Sequence, residues 1–295
     1  MSPAHTVRQP ASPIVPRGRM VEVAPGVHVI PDPGVALVPN VGVVEGAEAV
    51  LIVDAGMGPR NGERVLAEVR GLTAQTRRYA TLTHFHPEHG FGAQALRDHA
   101  TLLYNAPQKA ELDAKGAAYV ELFRTFGPHV AEQLEGVELV DPHLVYPSSA
   151  TLDLGGLVVE LLSMPAHTLG DQVVWIPERR VLFAGDLAEN GMLPIVPDGD
   201  VRIGRWIAVL ERLERLRPEI VVGGHGAVGG VELLARARDY LTDLRARVVC
   251  ELRSGAGDDE IVAALEPALA ADYAGWGGHE WIEPAIRCCI AEVAD

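Results

Sequence analysis

Cysteine is scarce in this sequence, and the few cysteines present do not suit a disulfide framework. Three occur in 295 residues: Cys250 stands alone, and Cys288 and Cys289 are adjacent. Disulfide-stabilised domains carry more cysteines at regular spacings, and none of these three has the spacing of a metal ligand. We therefore expect a protein of a reducing compartment.

Basic residues and long apolar runs are also few. The chain has 25 basic and 40 acidic residues, a formal net charge of −15, and no run of lysine or arginine. Such a balance disfavours nucleic acid as a partner. The first residues lack the apolar stretch of a secretion signal, and no later segment has the long uncharged run of a membrane helix. We predict a cytoplasmic protein without a nucleic-acid or membrane partner.

Apolar residues are nevertheless abundant enough for a sizeable core. They make up 48% of the chain, although aromatic residues account for only 5%. Sandwich architectures of about this length commonly fold as one unit. The composition therefore agrees with one compact enzyme.

Residues 81–90 contain the densest group of chemically active side chains. The segment reads Thr-Leu-Thr-His-Phe-His-Pro-Glu-His-Gly and places His84, His86, Glu88 and His89 within six positions. Imidazole and carboxylate are ligands that Zn²⁺ and similar ions prefer, and burying four such groups without a cation would be costly. A solvated histidine-rich loop is the alternative. The clustering favours a metal site.

Matching candidates lie far downstream. His167 occurs in Pro-Ala-His-Thr-Leu-Gly-Asp, Asp186 in Phe-Ala-Gly-Asp-Leu and His225 in Gly-Gly-His-Gly. Each follows an apolar run of the kind expected for a buried strand. The three residues are therefore expected at strand ends, where they could join the first cluster.

Taken together, these motifs resemble the metallo-β-lactamase-fold superfamily. Its pattern is an early Asp-x-Gly, then His-x-His-x-Asp-His, then a histidine, an aspartate and a final histidine. Asp54, in Leu-Ile-Val-Asp-Ala-Gly, supplies the first element, and the others follow in order. The resemblance runs from about residue 21 to 225 and is weaker in the helical tail. Glu88 is the single departure, because the family usually has aspartate there.

The resemblance implies an α/β (α+β) fold, a four-layer αββα sandwich of two mixed β-sheets flanked by helices. Alternating strand and helix patterns in two strand-rich halves agree with it. We expect a flexible leader over residues 1–19, the sandwich domain over 20–230, and a helical extension packed on that domain over 231–295. A homodimer is left open, with His279 and Glu280 as surface or dimer-contact residues.

Carried over residue by residue, the family pattern implies two metal sites. Zinc is expected, two ions per chain, with manganese or iron as alternatives. Asp54 would accept a hydrogen bond that orients one of the metal ligands or the metal loop. The ligands would be His84, His86 and His167 for the first ion, Glu88, His89 and His225 for the second, and Asp186 between the two.

Glu88 leaves three outcomes open at the second site. Its extra methylene could be absorbed by a shifted loop, could weaken the second site, or could favour manganese or iron. We favour the first because His89, His225 and Asp186 are all present. With one metal, Glu88 would instead serve as a general base.

The implied reaction is hydrolysis of a small acyl substrate, a β-lactam, lactone, thioester or ester. A dimetal-bound hydroxide would attack the carbonyl, with Glu88, Asp186 and Asp54 as the catalytic residues. Two alternatives from other classes are a mononuclear iron dioxygenase acting on a small thiol compound and a catalytically silent, metal-stabilised binding protein.

The segment from 107 to 147 has no counterpart among these motifs. It contains a helical pattern of Tyr119, Leu122, Phe123 and Phe126. We expect this stripe to pack the helix onto the body. The alternative is that it walls a substrate pocket.

Overall fold

The computed structural model describes residues 11–294. The strands within this range are β1 (Val21–Ala24), β2 (Val27–Ile30), β3 (Val41–Glu45), β4 (Val50–Val53), β5 (Arg78–Thr81), β6 (Thr101–Asn105), β7 (Leu144–Tyr146), β8 (Ser149–Asp153), β9 (Val158–Ser163), β10 (Gln172–Ile176), β11 (Val181–Gly185) and β12 (Ile220–Gly223). The helices are α1 (Gly58–Leu72), α2 (Pro87–Gly90), α3 (Ala93–Leu96), α4 (Ala106–Arg124), α5 (Pro128–Ala131), α6 (Ile203–Arg215), α7 (Glu232–Ser254), α8 (Asp258–Asp272) and α9 (Ile282–Ala294).

The strands form two mixed sheets. The first has the order β1-β2-β3-β4-β5-β6-β7, antiparallel from β1 to β4 and parallel from β4 to β7. The second has the order β12-β11-β10-β9-β8, and only its β11–β12 pair is parallel. Parallel neighbours end at the same edge of a sheet, so β4 with β5 and β11 with β12 can deliver side chains to common points.

Three apolar clusters separate four layers. The central cluster joins the facing sheets, with Val44 and Leu51 from the first and Val174 and Phe183 from the second. A second cluster packs α1, α3 and α4 on the outer face of the first sheet. The third packs α6 to α9 on the outer face of the second sheet. The predicted four-layer αββα sandwich is confirmed.

Both ends of the described range contact this body. Residues 1–10 of the predicted leader lie outside the described range. Val15, in its second half, is buried, and its backbone N–H donates to Asn61 Oδ1 at 2.6 Å, so this part is held on α1 where a flexible segment was expected. In the extension, Tyr240 and Ile286 share the third cluster with Trp206 of α6. The division into a leader, a sandwich and an extension stays a prediction.

Local structure around the histidine cluster differs from expectation in one respect. The strand-like run at 78–83 and the pattern that follows Gly90 predict a loop at the cluster and then a helix over residues 93–99. Instead, Glu88 and His89 lie on the four-residue helix α2, and α3 ends at Leu96. Pro87 occupies the first position of α2, where its fixed φ and missing N–H suit a helix start. The short turn thereby directs Glu88 and His89 back toward the sheet edge.

Candidate metal centre

The predicted ligands converge at one edge of the sandwich, although they are spread over more than 140 residues. His84 and His86 follow β5, and Glu88 and His89 lie on α2. Residue 167 lies in the β9–β10 loop, 186 follows β11, and 225 follows β12. All seven side chains are buried. They form two groups that share Asp186, and within each group one ligand atom per residue lies within 4.8 Å of all the others.

The first group has three imidazoles and one carboxylate. His86 Nδ1 lies 3.0 Å from His84 Nε2 and 3.2 Å from His167 Nε2. Asp186 Oδ2 lies 3.7 Å from His84 Nε2 and 3.8 Å from His167 Nε2. Ligands about 2.0–2.1 Å from a tetrahedral zinc ion are roughly 3.3 Å apart. The four atoms therefore fit the corners of one such site.

The second group consists of Glu88, His89, Asp186 and His225. His89 Nε2 lies 3.2 Å from Asp186 Oδ1. Both of these atoms and Glu88 Oε2 are buried, and none of the three makes a hydrogen bond within residues 11–294. Buried polar atoms are nearly always paired, so three unpartnered ones facing a common point indicate a bound cation.

Protonation agrees with a ligand role. Burial lowers the pKa of His84, His86, His167 and His225, which leaves these imidazoles neutral and their lone pairs free. Burial also raises the pKa of Glu88 to about 7. Although burial opposes it, the carboxylates of Asp186 and Asp54 raise the pKa of His89 well above its usual value. A cation would take the place of that proton.

Four of the five imidazoles are oriented by a bond at their other nitrogen. His89 Nδ1 lies 2.9 Å from Asp54 Oδ2, and His84 Nδ1 lies 3.1 Å from the Thr83 hydroxyl. Backbone carbonyls hold the remaining two: His167 Nδ1 lies 2.9 Å from Ile195 O, and His225 Nδ1 lies 3.1 Å from Val38 O. Such bonds fix the tautomer and direction of a ligating imidazole.

Asp54 lies behind the centre. It follows β4 with a φ of 68°, a left-handed conformation that aspartate tolerates better than most residues. Its Oδ1 accepts from the Thr83 N–H at 2.7 Å, and its Oδ2 accepts from the Thr83 hydroxyl at 2.9 Å and from His89. Asp54 thus ties β4 to the loop after β5.

Sequence reasoning missed Asp171, which shapes the loop carrying His167. Its Oδ2 accepts from the N–H of Thr168 at 2.8 Å and of Ala166 at 3.2 Å, and its Oδ1 accepts from the Thr168 hydroxyl at 2.6 Å. The available signal was local, since aspartate three residues after threonine commonly closes a turn.

Glu189, three residues after Asp186, was also missed. It is 7% exposed, and neither carboxylate oxygen has a hydrogen-bond partner in the part of the chain that the structure describes. Burial, followed by the charge of Asp186, raises the pKa of Glu189 well above its usual value. The next residue, Asn190, donates from its side-chain amide to Ala227 O at 2.9 Å. The sequence pattern around Glu189 contains no motif that would have marked it as part of the site.

The apolar stripe on α4 packs onto the body only in part. Tyr119 and Phe123 are buried in the second cluster, while Leu122 and Phe126 are each 47% exposed. The Tyr119 ring also stacks on His86, with 5.0 Å between ring centroids and 17° between planes. One face of α4 therefore packs on the body and reaches the candidate metal centre.

Two facing mixed sheets with a histidine and carboxylate cluster at their common edge define the metallo-β-lactamase class of fold. The family model described as the metallo-beta-lactamase superfamily matches residues 34–225, more than half of the chain. The chain belongs to this family, and the predicted membership is confirmed.

Curated relatives include proteins of two named activities. The chain is 26% identical over 266 residues to a linear primary-alkylsulfatase of Pseudomonas sp. (strain ATCC 19151), covering 77% of this chain and 50% of the relative. It is 27% identical over 222 residues to the acyl-coenzyme A thioesterase MBLAC2 of Homo sapiens, covering 68% and 77%. The chain thus spans half the length of the first relative and about three quarters of the second.

Solved structures share the fold over most of the chain. A metallo-β-lactamase family protein from Thermus thermophilus superposes with a TM-score of 0.67 at 20% identity, over 92% of this chain and 95% of that chain. The sec-alkylsulfatase Pisa1 from Pseudomonas sp. gives 0.68 at 16% identity, over 92% and 49%. Among residues 11–294, no helix combines the length and the apolar character needed to cross a membrane.

Proposed function

We propose that this protein is a metal-dependent hydrolase that holds two divalent cations, zinc in the first instance, and cleaves a small acyl substrate. The proposed ligands are His84, His86 and His167 for one cation, Glu88, His89 and His225 for the other, and Asp186 for both. The cations would supply hydroxide at neutral pH and polarise the substrate carbonyl. Family membership supports hydrolysis as the reaction type.

Charge balance is the observation that carries the proposal. Four carboxylates, those of Asp54, Glu88, Asp186 and Glu189, are buried at the centre. Within residues 11–294, none of them has a lysine or arginine within ion-pair distance. Buried carboxylates without cations are strongly disfavoured. Two divalent cations would carry four positive charges and offset the negative charge of these carboxylates when they are ionised.

The residues around the ligands have distinct roles in this proposal. Asp186 directs Oδ2 toward the three-histidine group and Oδ1 toward His89, as a shared ligand requires. Asp54 accepts from His89 and the Thr83 backbone, and so keeps the α2 ligands against the β5 loop. Glu88 supplies an anionic oxygen to the second group despite its added methylene, because α2 turns it toward the centre.

Thioesters are the first substrates to test. MBLAC2, named an acyl-coenzyme A thioesterase, matches 68% of this chain, and a thioester belongs to the proposed acyl class. Alkyl sulfates are a second candidate, supported by the alkylsulfatase relative. The two substrates release different products, a free thiol or sulfate, so a paired panel separates them.

We further propose that the protein works in the cytoplasm without a nucleic-acid partner. All three cysteines are free, and the formal charge is −15. The first property suits a reducing compartment, and the second repels polyanions.

Metal analysis of the purified protein, followed by turnover assays, tests the proposal. Two zinc ions per chain, with chelator-sensitive cleavage of acyl-coenzyme A thioesters, p-nitrophenyl esters, lactones or β-lactams, would support it. Chelator-sensitive release of sulfate alone would move the assignment to alkyl sulfates. One iron per chain with oxygen uptake on a small thiol would favour the dioxygenase, and tightly held metal without turnover would favour a silent binding protein.

A further inference from the structure

His86 differs from the other imidazoles of the centre. Its Nδ1 faces His84 and His167, but its Nε2 is buried and has no hydrogen-bond partner among the described residues. A ligating imidazole usually donates its free N–H to an acceptor that fixes the ring. Another contact must therefore orient His86.

Tyr119 of α4 supplies that contact. Its ring stacks on His86 nearly in parallel, at 5.0 Å and 17°, and meets Phe85 edge-on at 5.0 Å. The Tyr119 hydroxyl donates to Asp198 Oδ1 at 2.8 Å. Stacking limits tilt of the imidazole, and the bond to Asp198 limits sliding of the tyrosine ring.

Lys115, one helical turn before Tyr119, also binds the loop that contains Asp198. Its Nζ lies 2.9 Å from both Asp198 Oδ2 and Glu111 Oε1, and 2.8 Å from Asp200 Oδ2. Its ammonium fills the space between the three carboxylates, so this acidic group needs no metal ion. The other oxygen of Glu111 accepts from the N–H of Gly170, in the loop that carries His167.

The segment from 191 to 202, here called the strap, connects these contacts to a second ligand. Ile195 O lies in its middle and accepts from His167 Nδ1 at 2.9 Å. Toward its end, Asp198 and Asp200 are bound by α4. At its start, the Leu193 N–H donates to Gly277 O at 3.0 Å, which ties the strap to the C-terminal extension.

We propose that Lys115 and Tyr119 are positioning residues for the three-histidine site. Tyr119 orients His86 by stacking, and both residues clamp the strap whose Ile195 carbonyl orients His167. This inference rests on the proposed function, since it assumes that the three histidines bind a metal. Helix α4 would thereby support metal binding without touching the reacting atoms.

Affinity for Co²⁺, followed by visible absorbance, and for Zn²⁺, by chelator competition, tests the inference. A His225→Ala background removes a ligand of the second group and leaves the three-histidine group intact. In this background, Tyr119→Leu should weaken binding roughly 10- to 100-fold, the usual effect of losing an outer contact of a metal ligand. Tyr119→Phe retains the aromatic ring, and Lys115→Gln retains the stacking of Tyr119 on His86. Both variants should therefore lose less metal affinity than Tyr119→Leu. All three should alter the Co²⁺ spectrum.

Lys109→Gln is the matched control. Lys109 lies on the same helix and also pairs with carboxylates, Asp113 at 2.5 Å and Asp141 at 3.0 Å, but these contacts do not reach the centre. It should leave affinity and spectrum unchanged. Circular dichroism of each apoprotein checks folding, and Tyr119→Phe serves if Tyr119→Leu does not fold.

The outcomes separate this inference from the proposed function. If the unsubstituted protein binds no metal, the proposed function is wrong, and the positioning role with it. If it binds metal, but the Tyr119 and Lys115 variants match the His225→Ala background in affinity and spectrum, only the positioning role is wrong. A Lys109→Gln variant as weak as Lys115→Gln would also overturn it, because the loss would then reflect any broken ion pair on α4.

Discussion

At the scale of single residues, the centre depends on where each carboxylate directs its oxygens. Asp186 is the residue common to both groups, with one oxygen toward His89 and the other toward His84 and His167. Glu88 serves only the second group. Changes at these two positions should therefore have different consequences.

Asp186→Ala should abolish hydrolysis and lower metal content to about one ion per chain, because the three histidines can still hold one cation. The substitution removes a ligand from both groups and leaves His89 beside an empty space. Metal content by mass spectrometry and turnover of the substrate found in the panel are the measurements. Full activity in this variant would rule out a mechanism with two cations.

Glu88→Gln should remove the second cation while leaving the first. Glutamine keeps the volume but loses the charge, so affinity at the second group should fall at least about 10-fold. Glu88→Asp restores the family residue but withdraws the carboxylate by about 1.5 Å, one carbon–carbon bond. It should weaken the second site less than glutamine does. Two ions bound at parental affinity in Glu88→Gln would show that Glu88 is not a ligand.

At the scale of elements, strand ends and tight turns bring the ligands together. Gly224 lies between β12 and His225, and a Cβ at this position would lie 1.8 Å from Asp186 Oδ1. The glycine lets the β12 loop pass directly beside the carboxylate. A larger residue at 224 must displace either the loop or Asp186.

Gly224→Ala should therefore disrupt both metal sites, with metal content and activity falling together. Gly71→Ala is the control: Gly71 lies within α1, and an added Cβ there meets no other atom of residues 11–294 within 4 Å. Alanine should stabilise that helix by about 1 kcal/mol or less and leave the centre unaffected. Parental metal content in Gly224→Ala would mean that the loop has room the structure does not show.

At the scale of the whole molecule, the extension and the centre both contribute to stability. Helices α7 and α9 supply Leu241, Leu244 and Ile286 to the cluster around Trp206 of α6. The Trp206 Nε1–H donates to Leu187 O, next to Asp186 in the chain. The extension therefore supports the element that holds the shared carboxylate.

A chain ending at residue 230 should not fold, because the α6 face and the second sheet would be exposed together. Large exposed apolar surfaces cause aggregation. Solubility on expression and circular dichroism are the measurements. A soluble, cooperative unfolding unit over residues 1–230 would show that the extension is dispensable for the sandwich.

Removing the metals should lower the melting temperature of the intact protein. A ligand at 100 times its dissociation constant stabilises by about 2.7 kcal/mol, and each kcal/mol shifts the midpoint of a chain this size by roughly 2–4 °C. Chelation should thus cost at least about 5 °C, and added zinc should restore it. A midpoint unchanged by chelation and zinc would argue against cations at the buried carboxylates.

Short-range pattern was sufficient to identify the fold class and the seven proposed ligands. Four of these ligands lie within six consecutive positions: His84, His86, Glu88 and His89. The other three each follow an apolar strand: His167, Asp186 and His225. Strand order within the sheets did not have to be known, because the ordered motifs already pointed to one family. Apolar runs and helical spacing at 49–53, 60–71 and 203–216 also predict β4, α1 and α6 to within a few residues.

Contacts between distant segments were decided only by the tertiary structure. Tyr119 and Asp198 are 79 positions apart, and neither has a motif that predicts the other. Glu189 is surrounded by charges from several elements, so its burial without a partner is invisible in the sequence. The physical reason is that periodicity reports which face of an element is apolar, whereas the neighbour across that face depends on how all four layers pack.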